Sequence, residues 1–171
     1  AAEVERLCAR FLGDDPVFGR MNGLSVADFV DASRAAVQRG RIDKAPTGLV
    51  LVVGTGAVLL AEPDVLVYAD LARWEIQQRQ RRNEVASLGA HDQKDRPGKL
   101  YKRGFFVDWR AADRLKRTLF DRVDWLLDTN DPKAPKMIAG DDFRHGLAAA
   151  PACGQAAELL QRLQAYAEPR H

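Results

Sequence analysis

Apolar and polar positions follow two rhythms along this chain. Between residues 3 and 12, Val4, Leu7, Cys8, Phe11 and Leu12 recur at helical spacing, which predicts a short amphipathic helix ended by Gly13-Asp14-Asp15-Pro16. A second helix is predicted over residues 26–39. Ser25 stands at the N-cap position, Asp28 supplies the acidic half of a capping box, Val26, Phe29, Val30, Ser33 and Val37 form the inward stripe, and Gly40 is the stop. The run Leu49-Val50-Leu51-Val52-Val53 does not alternate, so both of its faces are expected to be covered, as in a central strand of a parallel sheet. Burying five such side chains is worth on the order of 8–15 kcal/mol before entropy is subtracted.

The rhythm continues beyond the Gly54-Thr55-Gly56 stop and a helical turn at residues 57–60. Val65-Leu66-Val67-Tyr68-Ala69 reads as a second buried strand, after which Asp70 caps a helix over residues 71–86 with Leu71, Trp74, Gln78 and Val85 near one face. Residues 89–98 are polar and aperiodic, a loop. Phe105-Phe106-Val107 fits a short strand or the start of a helix, and residues 111–120 form a helix with Ala112, Leu115 and Leu119 facing in. Residues 123–128 are a third strand ended by Thr129-Asn130-Asp131-Pro132. Asp141 caps a helix to residue 150, and residues 154–167 are a last amphipathic helix. Strands alternating with helices predict an α/β fold: three layers, a mostly parallel sheet with flanking helices, over residues 1–150, followed by a carboxyl-terminal amphipathic helix at 151–171.

Composition narrows the function classes. With 46% hydrophobic and 29% charged residues in 171, the chain is neither disordered nor collagen-like. Lys+Arg exceeds Asp+Glu by only 26 to 24, so a nucleic-acid-wrapping partner is not expected, although a local phosphate site is compatible with a net charge of +2. No membrane partner is expected either: the most apolar stretch, residues 49–61, is interrupted by Gly54 and Gly56 and falls short of the ~18 residues a spanning helix needs. Cys8 and Cys153 have no metal-ligand spacing, which points to a reduced, cytoplasmic protein. A start at Ala1 rather than Met suggests a processed or truncated piece.

Ligands of open parallel sheets bind beyond the carboxyl ends of the strands, so the candidates are Gly54-Thr55-Gly56, Asp70 with Arg73, and residues 128–131. The two glycines let backbone N–H groups approach an anion, or they make a tight structural turn; no phosphate loop or dinucleotide fingerprint is present. Arg73, Arg79, Arg81 and Arg82 follow on one helix. Their planar forks suit phosphate, whereas local pairing with Glu75 and Glu84 would make them a solvated flank. Tyr101, Phe105 and Phe106 interleave with Lys99, Lys102 and Arg103, a pattern shared by single-strand nucleic-acid sites and by ordinary cores. Asp108 and Asp113 could orient a substrate hydroxyl, His91 with Asp92 and Asp95 could meet a metal, and no transition-metal or Ser-His-Asp set stands out.

From Leu49 onward the order of apolar strand, Gly-x-Gly-Ala, Pro-Asp, apolar strand, acidic residue and arginine-rich helix resembles the second half of uridine-kinase-like phosphate-loop kinases. A closer resemblance is to the kinase-like amino-terminal region of bacterial class I mannose-6-phosphate isomerase proteins, in which that region precedes a cupin barrel. It rests on residues 14–21, on Val53-Gly54-Thr55-Gly56-Ala57, on Tyr68-Ala69-Asp70-Leu71-Ala72-Arg73-Trp74-Glu75-Ile76-Gln77, on residues 101–110, and on residues 128–132 and 135–137. The resemblance implies an incomplete kinase-type α/β domain, truncated at its amino end.

It also implies sugar-phosphate isomerisation for full-length relatives, which needs a divalent metal and a base supplied by the cupin. Neither the cupin ligands nor the phosphate loop is in this sequence, so no cofactor is expected in this chain. Three readings follow. The first is an accessory domain binding a phosphorylated sugar or nucleotide through Arg73, Arg79, Arg81 and Arg82, with Gly54, Thr55 and Gly56 as the floor. The second is a nucleoside- or sugar-kinase-like phosphotransferase with Asp70 or Asp108 as base. The third is a non-catalytic module for a cupin partner.

Overall fold

A computed structural model describes residues 2–149, so the helix expected at 154–167, Cys153 and His171 lie outside the described residues. The chain is a mixed α/β protein with a three-stranded mixed sheet, and it divides into two compact units. One unit comprises the residues up to Asp64 together with Leu71–Leu119; the other comprises Val65–Asp70 and the residues from Phe120 onward. No described helix is long and apolar enough to cross a membrane.

The first unit is helical. Helix α1 (Ala2–Leu12) forms as its spacing predicts, and Gly13, at φ 56°, ends it. Its apolar stripe of Val4, Leu7, Phe11 and Leu12 packs on a core of Cys8, Leu24 and Val107, joined by Phe29 and Phe106. The Ser25–Asp28 capping box is present, but it opens a single 3-10 turn, Val26–Phe29. Helix α2 (Ala32–Asp43) then starts afresh from an Asp31 N-cap whose carboxylate accepts the Arg34 N–H at 2.9 Å. That restart shifts the helical phase, so Val37 is exposed, Ala35 is the buried position, and Gly40 lies inside the helix rather than ending it.

The expectation for residues 49–53 is corrected. They form no strand: Leu49 is 95% exposed and Val53 81%, and among the described residues no backbone hydrogen bond reaches any of the five. Absence of alternation signals two covered faces only if neighbouring strands and helices are there to cover them. Here Gly48 and Gly54, at φ 141° and 140°, bracket the run with backbone conformations that favour glycine.

After the 3-10 turn Ala57–Leu59 and strand β1 (Val67–Asp70), helix α3 spans Arg73–Arg81. It is shorter than expected because Asn83 turns left-handed at φ 58°. Asp70 is the last residue of β1 and not the cap of α3, whose N-cap is Ala72. Trp74 is exposed and Gln80 is buried, the reverse of an apolar stripe through Trp74. Helices α4 (Pro97–Arg103) and α5 (Trp109–Leu119) are joined without a break by a π-helical turn at Gly104–Asp108, which resolves the ambiguity at Phe105-Phe106-Val107 in favour of helix.

A π-turn widens the backbone and leaves carbonyls to be satisfied from outside. Asn22, only 3% exposed, does this: its Nδ2 donates to the Phe106 carbonyl at 2.5 Å and to that of Val107 at 3.0 Å. Its Oδ1 accepts the Leu24 N–H at 2.7 Å, and Arg114 donates to the carbonyl oxygens of Leu24 (2.7 Å) and Asn22.

In the second unit β1 pairs in parallel with β2 (Trp125–Asp128), with Val67 opposite Trp125 and Asp70 opposite Asp128. Strand β3 (Lys136–Ala139) lies antiparallel on the other side of β2, giving the order β1-β2-β3. β1 is half-exposed rather than fully buried: Val67 and Ala69 are exposed and Tyr68 and Asp70 partly covered, the alternation of a strand with one open face. The segment Lys136-Met137-Ile138-Ala139 is too short to show a period, so β3 was not foreseen from the pattern. Helix α6 (Gly140–Ala149) packs on β2 and β3, and Arg144 donates to the Phe120 and Val123 carbonyls at 3.2 and 3.0 Å. Gly140 is irreplaceable in this corner: a Cβ there would overlap the Val123 carbonyl oxygen.

Removing the Asn22 amide takes its donor from the Val107 and Phe106 carbonyls, of which Phe106 keeps the Asn22 backbone N–H at 3.3 Å, and leaves the Leu24 N–H without its acceptor; a buried polar group left unsatisfied costs roughly 1–3 kcal/mol. Asn22→Ala is expected to lower the unfolding free energy of the first unit by about 2–4 kcal/mol, read from urea melts followed by circular dichroism at 222 nm.

Candidate functional site

The Gly54-Thr55-Gly56 triplet forms a tight turn. The Gly54 carbonyl accepts the Ala57 N–H at 3.1 Å, and the Gly56 carbonyl accepts that of Leu59 at 2.9 Å. Gly56, at φ 85°, adopts a backbone conformation that favours glycine, and it lies against the Val26 side chain. The triplet lines an open groove of about 810 Å³ between α1, the start of α2 and Val53. The charged residues of that groove are Glu3, Asp28, Asp31 and Arg34, three carboxylates against one guanidinium. Hydrogen bonds from the Ser25 N–H and hydroxyl hold the Asp28 carboxyl below the usual carboxylate range, so it stays ionised.

The four arginines of the α3 region have separate fates. Arg73 pairs with Asp113 at 2.5 Å and lies 5.2 Å over the Trp109 ring, with its Nη1 buried and without a hydrogen-bond partner among the described residues. Arg79 reaches Glu75 at 3.0 Å. Arg82 bridges Glu75 at 3.0 Å and Glu84 at 2.6 Å; these hydrogen bonds raise its own pKa and hold the Glu84 carboxyl below its ordinary range, while those from Arg79 and then Arg82 hold Glu75 below its own. Arg81 differs. It pairs with no carboxylate among the described residues and lies 5.9 Å over the Trp74 ring. It lines a second, smaller cleft of about 190 Å³ with Gln77, Gln80, Pro97, Gly98 and Tyr101.

The glycine turn and Arg81 thus line different cavities, and Arg73, Arg79 and Arg82 line neither. Of the cleft partners, the sequence pattern points to Tyr101 through its interleaving with basic residues, and not to Gln80, Pro97 or Gly98. Gln77, Gln80 and Arg81 nevertheless stand at i, i+3 and i+4, one face of a helix, and that spacing was the available signal.

Asp108 lies elsewhere, in a buried ionic network under the loop that follows α3. Its Oδ1 is 3.4 Å from Arg103 Nε and its Oδ2 accepts the Leu88 N–H at 3.2 Å. Arg103 donates to the Leu88 carbonyl at 2.6 Å and approaches Asp92 at 3.8 Å, and Asp92 accepts the Ser87 N–H at 2.8 Å. Burial pushes the Asp108 carboxyl up to about 6 against the pull of Arg103, and burial likewise raises the Cys8 thiol. With both oxygens turned inward, Asp108 is a structural carboxylate.

Asp70 sits in β1, its carbonyl accepting the Thr129 N–H at 3.0 Å and hydroxyl at 2.7 Å. At residues 128–131 the carboxylates of Asp128 and Asp131 accept the N–H groups of Asn130 and Lys133, which makes a self-closed turn. Among the described residues no cluster of three or more His, Cys, Asp or Glu is placed to hold a metal ion.

Residues 1–151 match the family described as domain of unknown function DUF8485, and the chain belongs to that family. No curated protein and no solved structure matches it.

The buried carboxylate leaves a pH signature. A raised folded-state pKa means that Asp108 contributes its full stability below about pH 4, its ordinary range, and loses it as pH rises through about 6. Asp108→Asn cannot titrate. The wild-type minus variant difference in unfolding free energy is therefore expected to fall by up to about 3 kcal/mol between pH 4 and 7. Urea melts at each pH check this; a difference that stays level contradicts it.

Proposed function

We propose that this chain is an accessory, kinase-like α/β domain of a mannose-6-phosphate-isomerase-like protein, and that it binds the phosphate of a sugar phosphate or nucleotide at the Arg81 cleft. The carrying observation is Arg81 itself, the guanidinium left without a carboxylate, opening on a cleft with two glutamine side chains and a tyrosine. A guanidinium fork donates two parallel hydrogen bonds to phosphate, while amides and a phenol suit sugar hydroxyls. A cleft of about 190 Å³ admits a phosphate group and part of a ring, which limits the ligand to one small phosphorylated end.

The kinase likeness, with its three-layer and mostly parallel sheet, belongs to the same proposal. It is supported by the sequence likeness of residues 53–57 and 68–77 and by the parallel pairing of β1 with β2. The groove at Gly54-Thr55-Gly56 is assigned no phosphate, because an anion there would meet three carboxylates. Phosphotransfer has less support: the sequence carries no phosphate loop, and Asp108 faces Arg103 rather than a cavity.

Calorimetric titration with mannose 6-phosphate, ATP and uridine tests this reading. The two phosphorylated ligands are expected to bind and uridine not. A charge-assisted bond to phosphate is worth roughly 1.5–3 kcal/mol, so Arg81→Gln should weaken binding about 10- to 100-fold. Arg82→Gln should leave it within about threefold, since an exposed pair contributes at most about 1 kcal/mol. Heat from none of the ligands removes the assignment.

A further inference from the structure

Residues 49–53 and the adjoining groove have no role in the phosphate reading. The run is apolar, with Leu49, Leu51 and Val53 its most exposed residues, and none of its N–H or C=O groups is paired with another backbone group among the described residues. Exposed apolar backbone with free hydrogen-bonding groups is a template for another strand. Contiguous apolar exposure of this kind marks interaction surfaces more often than it marks neutral surface.

We infer that Leu49–Val53 pairs with an extended segment of a partner protein in which apolar and basic residues alternate, the basic side chains reaching the carboxylates of the adjoining groove. Charge complementarity sets the choice of occupant. Val53 ends the run and is itself part of the groove wall, whose ionic residues are Glu3, Asp28, Asp31 and Arg34. The surplus is negative. Asp28 and Asp31 are fixed in place by capping the two helical segments beside it, so their charges are held at a constant position rather than on mobile side chains.

A pairing strand alternates its side chains between two faces. One set therefore covers Leu51 and Val53 while backbone bonds form along the run. Basic side chains long enough to reach Glu3 and Asp31 lie at the end where the run enters the groove. Pairing supplies the affinity, and the carboxylates exclude acidic or neutral strands.

Fluorescence anisotropy with a labelled seven-residue peptide of alternating lysine and valine tests the inference, against an analogue of alternating glutamate and valine. The basic peptide is expected to bind the full chain at least about tenfold tighter than the acidic one. Glu3→Lys, on an exposed turn of α1, should weaken it about threefold or more, and Leu51→Pro, which removes one backbone donor from an exposed position, about tenfold. Arg81→Gln should not change it, which separates this surface from the phosphate cleft. Equal binding of the two peptides overturns the inference without recourse to any variant. So does a Leu51→Pro chain that binds as well as wild type. Sedimentation velocity supplies the other overturning result: a concentration-dependent dimer lost in Leu51→Pro would mean that a second copy covers the run.

Discussion

The helical unit depends on how one widened turn is satisfied. Between Pro97 and Leu119 the backbone runs as one helix, yet at Gly104–Asp108 the hydrogen bonding slips to the wider spacing, with the Trp109 N–H donating to the Gly104 carbonyl. Such a turn is stable in a core only when another part of the chain supplies donors. Asn22 supplies them from a segment 84 residues away in sequence, and Arg114 in turn holds the segment around Asn22. The slip also sets which side chains face inward. It places Val107 and Asp108 together at the buried surface, where a regular helix would have rotated them relative to the flanking turns.

That placement explains the buried ions. Asp108 and Arg103 face inward on consecutive turns, and between them they bind both the N–H and the C=O of Leu88. The polar loop after α3 is thus held by side chains rather than by a sheet. Gly89, next to that anchor, lies on the wall of the larger groove, while Arg81 stands at the end of α3 where the loop begins. One ion-paired anchor therefore positions backbone at the groove and close in sequence to the cleft.

Much of the local structure was legible in the sequence. The α1 stripe, the Ser25–Asp28 box, the strands expected at residues 65–69 and 123–128, which form over 67–70 and 125–128, and the helix expected at 111–120, which ends at Leu119, follow from spacing and capping chemistry. What escaped was set by distant neighbours. A π-turn has no composition of its own, and nothing near Asn22 announces that its amide serves Phe106 and Val107. Periodicity assigned residues 49–53 to a core because it reads apolarity, and apolarity does not reveal whether a neighbour is present. The arginines were found as a group, but which of the four stays unpaired depends on the rotamers of Glu75, Glu84 and Asp113.

The sheet carries a consequence for synthesis. Leu66 bonds to Asp124, a partner 58 residues further on, and the intervening chain is nearly all helical unit. At about 5–20 residues per second a ribosome needs several seconds to deliver that partner. Throughout that interval β1 is a nascent strand with both edges open, and local helices, which close only short loops, are free to form first. The order of assembly is therefore written into the connectivity: helices while the chain is still emerging, the parallel pair only once its second strand has left the exit tunnel.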